Sequence, residues 1–453
     1  MSNSVFAFGA ISRPGRRGWL AIVFVGALTL LFLPMVVSKV VGLGQGDVQV
    51  FFRGGWAIWS GYPLYQVIDH HGWTFHYPPT FALLMGPFAN PLPGYPQPPW
   101  ALPFAAAVVV WYLINAACLL LAIHVWANAL ERHRPVHARA GFLQGPFALR
   151  LGSLMALLPF VGDGLARGQP APVLLLLIVV FFALYAENRP ASAAFAFSLA
   201  VTIKVFPIVL AVLPFLRRDW KFIGWTFGWC FLLLIGLPAI CLGPTVTLNL
   251  YSTMFTDHLA GIISGAMSPK IASEVSPGAY SSIGVGAVVA RVAAGGAFYS
   301  SPLPGWASAI QFLFNAAVVA AVVVLGRGGF WSLRGAQPDN GYPFLVAGAI
   351  LFAAIPLMIS FAGPQYVTFA VPLVAVLWLE AWRRAGEQVF SGGLAAWTIV
   401  AWLSMIALEV PWNWLKVIGP MTWALLLLAP ASLSLIGRIS KVPGAESTGL
   451  SAS

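Results

Sequence analysis

The acidic residue Asp47 is the strongest candidate for chemistry in this sequence. It stands in segment 46–53 (GDVQVFFR), directly after a long apolar run. Only 13 of the 453 residues are acidic, and a carboxylate beside a membrane helix is costly to desolvate unless it has a task or a partner. Two roles stay open. The side chain caps a helix that begins near Val48, or it is a general base that takes a proton from a hydroxyl group.

A base of this kind works alone when the leaving group is a phosphate, because phosphate leaves without being protonated. Glycoside hydrolysis, in contrast, requires two carboxylates. A leaving phosphate needs positive charge or hydrogen-bond donors to stabilise it. The cationic candidates for this role are Arg53, His258, Lys270 and Arg291. Each of them has an alternative role as an ordinary loop cation or as a side chain that snorkels to the membrane surface.

Metal binding is not expected. His70, His71 and His76 are close in sequence, but they lack the carboxylate and the fixed helical spacing of a zinc site. The cysteines lie in or beside apolar runs, which gives neither a disulfide framework nor metal-ligand spacing. The sequence therefore predicts no metal and no cofactor.

The elements that position these residues belong to a membrane protein. Hydrophobic residues make up 59% of the chain and charged residues 8%, too little charge for a soluble domain of this length. The apolar runs are continuous, as in helices of roughly 17–25 residues that cross a bilayer, and unlike the alternating strands of an outer-membrane barrel. The net charge of +11 comes from loops between apolar runs, which favours membrane topology over nucleic-acid binding. About ten spans are expected, near 19–41, 101–128, 147–163, 170–187, 221–243, 306–326, 342–361, 366–382, 394–410 and 420–438.

Segment 190–216 does not read as a simple span. Basic residues flank both of its ends, and it contains Lys204 and Pro207. A broken, re-entrant hairpin places both flanks on one side, and proline is tolerated where such a hairpin is buried in protein. Most Lys and Arg residues then fall on the cytoplasmic side, as the positive-inside rule requires. Lys204 is expected to enter from that side, and two roles stay open for it: binding carbonyls of the broken helix, which we favour, or contacting a lipid carrier.

This topology predicts a protein of the plasma (inner) membrane with both termini in the cytoplasm and Asp47 on the outer face. Residues 1–443 form one membrane domain, and the small polar tail 444–453 is expected to be disordered. Two outer loops, 42–100 and 244–305, face the outside. Within the first, 50–59 is expected to lie along the interface as an amphipathic helix, and 80–89 is too short to span.

Several short motifs follow Asp47 in a recognisable order. They are GYPLY at 61–65, a YPPT core within 75–84, Gly168-Gln169, KVFP at 204–207 and Arg217-Arg218. In this order and spacing, from about residue 46 to 372, the chain resembles glycosyltransferase family 87. That family consists of GT-C membrane enzymes and includes mycobacterial mannosyltransferases that use polyprenyl-phosphate mannose.

The resemblance implies a GT-C-like, all-α polytopic fold with interfacial helices in the outer loops. It implies inverting transfer at the outer face, from a polyprenyl-phosphate sugar (mannose favoured) to a hydroxyl of a glycolipid or envelope glycan. Asp47 is then the base of a hexosyl- or pentosyltransferase. With the cations named above, the expected substrate-binding residues are Arg53, Tyr65, His76, Tyr77, Gln169, His258, Lys270, Ser282, Arg291, Gln365 and Tyr366. Gln365 stands where the family tends to have histidine, and Pro170-Ala171 stand where it tends to have x-Asn.

Two other functions stay open. A transporter or lipid-carrier flippase tends to show inverted repeats and polar sites at the midplane, and the sequence shows no convincing repeat. An inactive homologue that keeps a binding role is the other alternative. The partners expected for the enzyme are membrane lipids, the lipid-phosphate donor and the glycan acceptor, with no nucleic acid.

Overall fold

The structure is a computed structural model that describes residues 33–34, 36–42, 46–70, 72–134, 146–259, 281–295, 303–325, 341–359, 362–383, 388–407 and 413–432. Helices dominate these ranges. The β pairing among the described residues is one antiparallel bridge between Ile68 and Thr74. The predicted all-α class is therefore confirmed for this part of the chain. The tail 444–453, most of 19–41 and much of 244–305 lie outside the described residues.

The first outer loop folds into short helices that pack against the rest of the protein. After a π-turn at Ser38–Gly42 come α1 (Val48–Ser60) and α2 (Pro79–Leu84). The predicted helix start near Val48 is confirmed. Every residue of α1 from Val48 to Ile58 is buried, whereas an interfacial helix leaves one face exposed. Protein therefore covers every face of this stretch, which an apolar run alone does not reveal, and its position relative to the membrane interface stays a prediction.

The remaining helices follow in chain order. The first group is α3 (Phe104–His133), α4 (Pro146–Ala156), α5 (Leu158–Ala166), α6 (Ala171–Ala186), α7 (Pro190–Ile203), α8 (Val212–Leu216), α9 (Trp220–Cys230), α10 (Leu237–Leu242) and α11 (Pro244–Thr253). The second group is α12 (Val285–Ala293), α13 (Gly305–Leu325), α14 (Gly341–Met358), α15 (Val371–Arg383), α16 (Gln388–Ile406), α17 (Asn413–Val417) and α18 (Pro420–Leu426).

Within the described residues, four helices are long and apolar enough to cross a membrane. They are Phe104–His133, Trp220–Leu242, Gly341–Met358 and Pro364–Ala381. The pair α4–α5 adds a fifth if it counts as one span bent by 66°. Pro159 lies in the first turn of α5, and a proline there cannot continue the hydrogen bonding of the preceding helix. A polytopic all-α membrane protein fits these helices, and the described residues do not confirm the predicted count of about ten spans.

Segment 190–216 reverses direction, as the hairpin predicts. Helix α7 runs antiparallel to α6, so that Lys204 at its end lies beside Gln169, two residues before the start of α6. The chain then returns, and Arg217 lies over the ring of Tyr185 at the other end of α6, 5.3 Å from its centroid. Pro207 explains the break, because proline has no backbone N–H to donate to the carbonyl four residues earlier and its ring clashes with that carbonyl. The carbonyl concerned belongs to Ile203, the last residue of α7. The relation of this hairpin to the bilayer stays a prediction.

Candidate functional site

Asp47 lies in a tight turn immediately before α1. Gly46 has a φ of 137°, and a Cβ at this position would lie 3.1 Å from the Val40 side chain, so the turn requires glycine. The Asp47 carboxylate makes no capping hydrogen bond to α1. It accepts a hydrogen bond from the Gln169 amide instead. The capping role is therefore wrong, because the side chain is engaged with a different part of the chain.

The turn that carries Gln169 is fixed against α1. Gly168 adopts a left-handed φ of 67°, and a Cβ there would lie 2.6 Å from the Val48 Cβ. The backbone N–H of Val48 donates to the carbonyl of Arg167 at 3.3 Å. The indole of Trp111 donates to the carbonyl of Gly168 at 2.7 Å. These contacts hold the Gln169 side chain beside Asp47.

Lys204 completes this cluster. Its buried ammonium donates to the Gln169 Oε1 at 3.2 Å and to the hydroxyl of Tyr366. It also lies 5.0 Å from the ring centroid of Tyr77 and 4.6 Å from that of Tyr366. Both are cation–π distances. We call Asp47, Tyr77, Gln169, Lys204 and Tyr366 the Asp47 cluster.

The role favoured for Lys204 from the sequence is wrong. The ammonium does not bind the carbonyls of the broken helix, since its hydrogen bonds go to side chains. Counting charges in flanking loops indicates the side from which a segment enters. It does not indicate how far the segment extends into the protein. The 14 residues of α7 extend along α6, and Lys204 therefore lies near Asp47.

Electrostatics leave Asp47 a stronger base than an ordinary aspartate. Burial raises the pKa of Asp47, while Arg167, the Gln169 hydrogen bond and Lys204 pull it back down. Arg167 itself pairs with Asp163, its Nε lying 3.0 Å from Oδ1. Burial also raises the pKa of Tyr77 well above its ordinary value, so this hydroxyl stays neutral.

Three residues predicted around Asp47 support the loop near Tyr77. Tyr65 donates to the carbonyl of Tyr77 at 3.3 Å, and a ring nitrogen of His76 lies 3.4 Å from the Thr74 hydroxyl. Arg53 is buried, donates to the carbonyl of Ile68 and contacts the ring of His70. Its guanidinium is engaged within the loop, whereas the cations that act on Asp47 are Arg167 and Lys204.

Ser282 and Arg291 belong to a separate cluster. Arg291 is fully buried and donates to the carbonyl of Ser282 at 2.9 Å. The neighbouring Ile283 donates its N–H to the carbonyl of Ala362 at 2.8 Å. The second bond joins the stretch before α12 to the residues just before the 3-10 turn Pro364–Ala370.

In the 3-10 turn Pro364–Ala370, the side chains of Gln365 and Tyr366, both predicted to bind substrate, have different surroundings. Gln365 is buried, and its Oε1 would lie 2.5 Å from a Cβ at Gly363, while Tyr366 reaches Lys204. The Lys204 ammonium thus hydrogen-bonds Gln169 and Tyr366, and the Oε1 of Gln365, at the expected histidine position, has no hydrogen-bond partner among the described residues. Lys270 and the side chain of His258 lie outside the described residues.

Sequence reasoning missed Lys204 and Arg167 as members or neighbours of the site. For Lys204 a signal was available: a cation within an apolar segment marks a functional site by default. Chemically, the Asp47 cluster offers a carboxylate base, a cation one amide group away and two aromatic hydroxyls. Among the described residues, no group of three His, Cys, Asp or Glu side chains is placed to hold a metal ion.

Comparison with known proteins identifies one family. The family model described as glycosyltransferase family 87 matches residues 75–340. This range includes Tyr77, Gln169 and Lys204, while Asp47 and Tyr366 lie outside it. Among curated proteins, no match is found.

Proposed function

Since the chain belongs to glycosyltransferase family 87 and is a membrane glycosyltransferase, we propose that it transfers a sugar from a polyprenyl-phosphate donor to a hydroxyl group. The favoured sugar is mannose, and the acceptor is a glycolipid or a glycan of the cell envelope. The observation that carries this proposal is the placement of Asp47 and Lys204 on the two sides of the Gln169 amide.

Asp47 acts as the general base. Its carboxylate takes the proton of the acceptor hydroxyl as that oxygen forms a bond to the anomeric carbon. The bond between the anomeric carbon and the phosphate oxygen breaks, and its electron pair leaves with the phosphate. Attack from the face opposite the phosphate inverts the anomeric configuration. The raised pKa of Asp47 suits this task, because a base works best when its pKa lies nearer the operating pH.

Lys204 stabilises the negative charge that develops on the departing phosphate. A positioned cation in a site shielded from water lowers the energy of such a transition state. An ammonium has three N–H donors, and the described structure uses two of them, for Gln169 and Tyr366. The third is available for a phosphate oxygen. Because the rings of Tyr77 and Tyr366 flank the ammonium, they hold it in place without neutralising it.

The proposed reaction takes place at the outer face of the plasma membrane, with both termini in the cytoplasm. The distribution of Lys and Arg between the loops supports this orientation. The step as proposed uses protein groups alone and needs no metal ion. The partners are the surrounding lipids, the donor and the acceptor.

Sugar transfer by the purified protein tests the proposal. Radiolabelled polyprenyl-phosphate mannose, glucose, galactose and arabinose are offered with an extract of envelope glycolipids. We expect mannose transfer by the wild type and a loss of roughly 10²–10⁴-fold in Asp47→Asn. Burial raises the pKa of Asp47, so ionising this group costs more in the folded protein than in the unfolded chain. The charge therefore costs stability near neutral pH, and Asp47→Asn should unfold at the same or a higher temperature.

A matched control is Asp219→Asn. Asp219 caps α9 by accepting the N–H of Phe222 at 3.0 Å, and asparagine caps a helix equally well. This variant should transfer sugar like the wild type. Transfer at the wild-type rate by Asp47→Asn contradicts the base assignment, and consumption of none of the four donors contradicts the proposed function.

A further inference from the structure

We propose that Gln169 is a positioning residue that couples the base to the phosphate-binding cation, rather than a contact to either substrate. This inference rests on the proposed function and deepens it. Gln169 is buried and lies between Asp47 and Lys204, with one end of its amide bonded to each.

The chemistry of its two partners fixes the orientation of the Gln169 amide. An ammonium only donates and an ionised carboxylate only accepts. The amide oxygen must therefore face Lys204, and the amide nitrogen must face Asp47, as the structure shows. Reversing the amide would place its NH₂ group against the ammonium and its oxygen against the carboxylate, so both hydrogen bonds would be lost.

This orientation assigns separate tasks to the two oxygens of Asp47. The Gln169 amide occupies Oδ2, which leaves Oδ1 to receive the proton of the acceptor hydroxyl. A hydrogen bond to the charged form of a carboxyl group favours that form. Gln169 therefore favours the ionised form of Asp47 in a buried site and also fixes the orientation of the carboxylate plane.

The same amide keeps the acid and the cation apart. A direct ion pair between Asp47 and Lys204 would make the carboxylate a weaker base and occupy the ammonium that the phosphate requires. A neutral spacer satisfies one hydrogen bond on each group and leaves the net charge of each unchanged. The backbone supports the spacer, because the turn at Gly168 is held by Trp111 and Val48.

The test replaces Gln169 by methionine, which has a similar length and no hydrogen-bonding amide. Two quantities are measured on the full-length protein: the pH dependence of kcat for mannose transfer, and the affinity for polyprenyl monophosphate without sugar. In Gln169→Met the acidic limb of kcat should move up by roughly one pH unit, because Asp47 loses the bond that favours its charged form. Binding of polyprenyl monophosphate should weaken by roughly tenfold, because Lys204 loses its orientation.

Gln169→Glu gives a second variant in case the methionine variant folds poorly. It keeps an acceptor for Lys204 and places a like charge beside Asp47, which raises a carboxyl pKa. The acidic limb should therefore move in the same direction and farther. A control is Gln311→Met, which removes another buried glutamine, one that accepts the N–H of Gly286 at 2.8 Å and donates to the carbonyl of Leu357 at 2.9 Å. That change should leave the acidic limb and the phosphate affinity unchanged.

The outcomes separate the inference from the function beneath it. A wild type that transfers sugar, with both Gln169 variants keeping the wild-type acidic limb and phosphate affinity, overturns the positioning role and leaves the proposed function standing. A wild type that transfers no sugar overturns the proposed function. In that case the affinity for polyprenyl monophosphate still tests the positioning role of Gln169. Equal affinities of the wild type and Gln169→Met would contradict that role.

Discussion

The two ends of helix α6 differ in how their charged side chains are joined. At the end near Tyr185, Arg132 pairs directly with Glu187, and Arg150 pairs directly with Glu131 at 2.7 Å. At the other end, Arg167 also pairs directly with Asp163 at 3.0 Å, but the buried Lys204 is joined to Asp47 only through the Gln169 amide. Direct pairing satisfies charges that serve the fold. Separated charges remain available to a substrate, which supports the proposal that the reaction occurs at the end that holds the Asp47 cluster.

The cations at the two ends also differ in exposure. Lys204 is buried, whereas Arg217 is half-buried and lies over the rings of Tyr185 and Phe344 at 5.3 and 5.5 Å. A buried cation without a carboxylate in direct contact is expensive to maintain. Its retention between two aromatic rings is better explained by a ligand that arrives with negative charge than by a contribution to stability.

The largest difference between the two ends is expected when each of these two cations is replaced by methionine. Lys204→Met should lower sugar transfer by roughly 10²–10³-fold, the usual cost of removing one group that stabilises developing charge. Arg217→Met should cost about 0.5–1 kcal/mol of folding stability, the size of an exposed cation–π contact, and leave kcat near the wild-type value. Initial rates and thermal unfolding measure both effects. Equal loss of transfer in the two variants would remove the distinction between the ends.

Two glycines with similar backbone conformations differ in how closely neighbouring side chains pack against them. Gly168 and Gly61 both have left-handed φ values, 67° and 72°, but a Cβ would clash with Val48 only at Gly168, since nothing lies within 4 Å at Gly61. Gly61→Ala should cost about 1–2 kcal/mol with activity retained. Gly168→Ala should cost more and also lower transfer, because the clash displaces Gln169 from Asp47. Similar activity in both variants would show that this turn does not position the site.

The smallest effect is expected at the ion-paired end. Arg132 and Glu187 keep 34% and 21% of their side chains exposed, and pairs of this kind contribute about 0–1 kcal/mol. Arg132→Gln should therefore change the unfolding temperature little and leave transfer unchanged. A severe loss of transfer in this variant would mean that chemistry also depends on the end we assign to the fold.

Much of the framework follows from the sequence, because local patterns determine it. The apolar runs predict the helices, Gly168 marks the turn before α6, and Pro207 marks the break after α7. Asp47 stands out because acidic residues are rare beside apolar runs. Each of these signals lies within a few residues of the feature that it predicts.

The rest depends on contacts between distant parts of the chain. The pairing of Lys204 with Gln169 and Tyr366 spans 35 and 162 residues, and no local pattern specifies it. The burial of α1 could not be predicted either, since an apolar helix looks the same whether lipid or protein covers it. For Arg53, the sequence suggested a role that the structure does not support. Its charge and position suit a phosphate ligand, yet its guanidinium binds Ile68 and His70 in its own loop.

A structure of the protein with bound polyprenyl monophosphate would show which cation binds the phosphate. We predict that a phosphate oxygen lies within hydrogen-bonding distance of the Lys204 ammonium, with Gln169 still bridging Lys204 and Asp47. A phosphate held instead by Arg53 or Arg291, with Lys204 not in contact, would contradict the role proposed for Lys204.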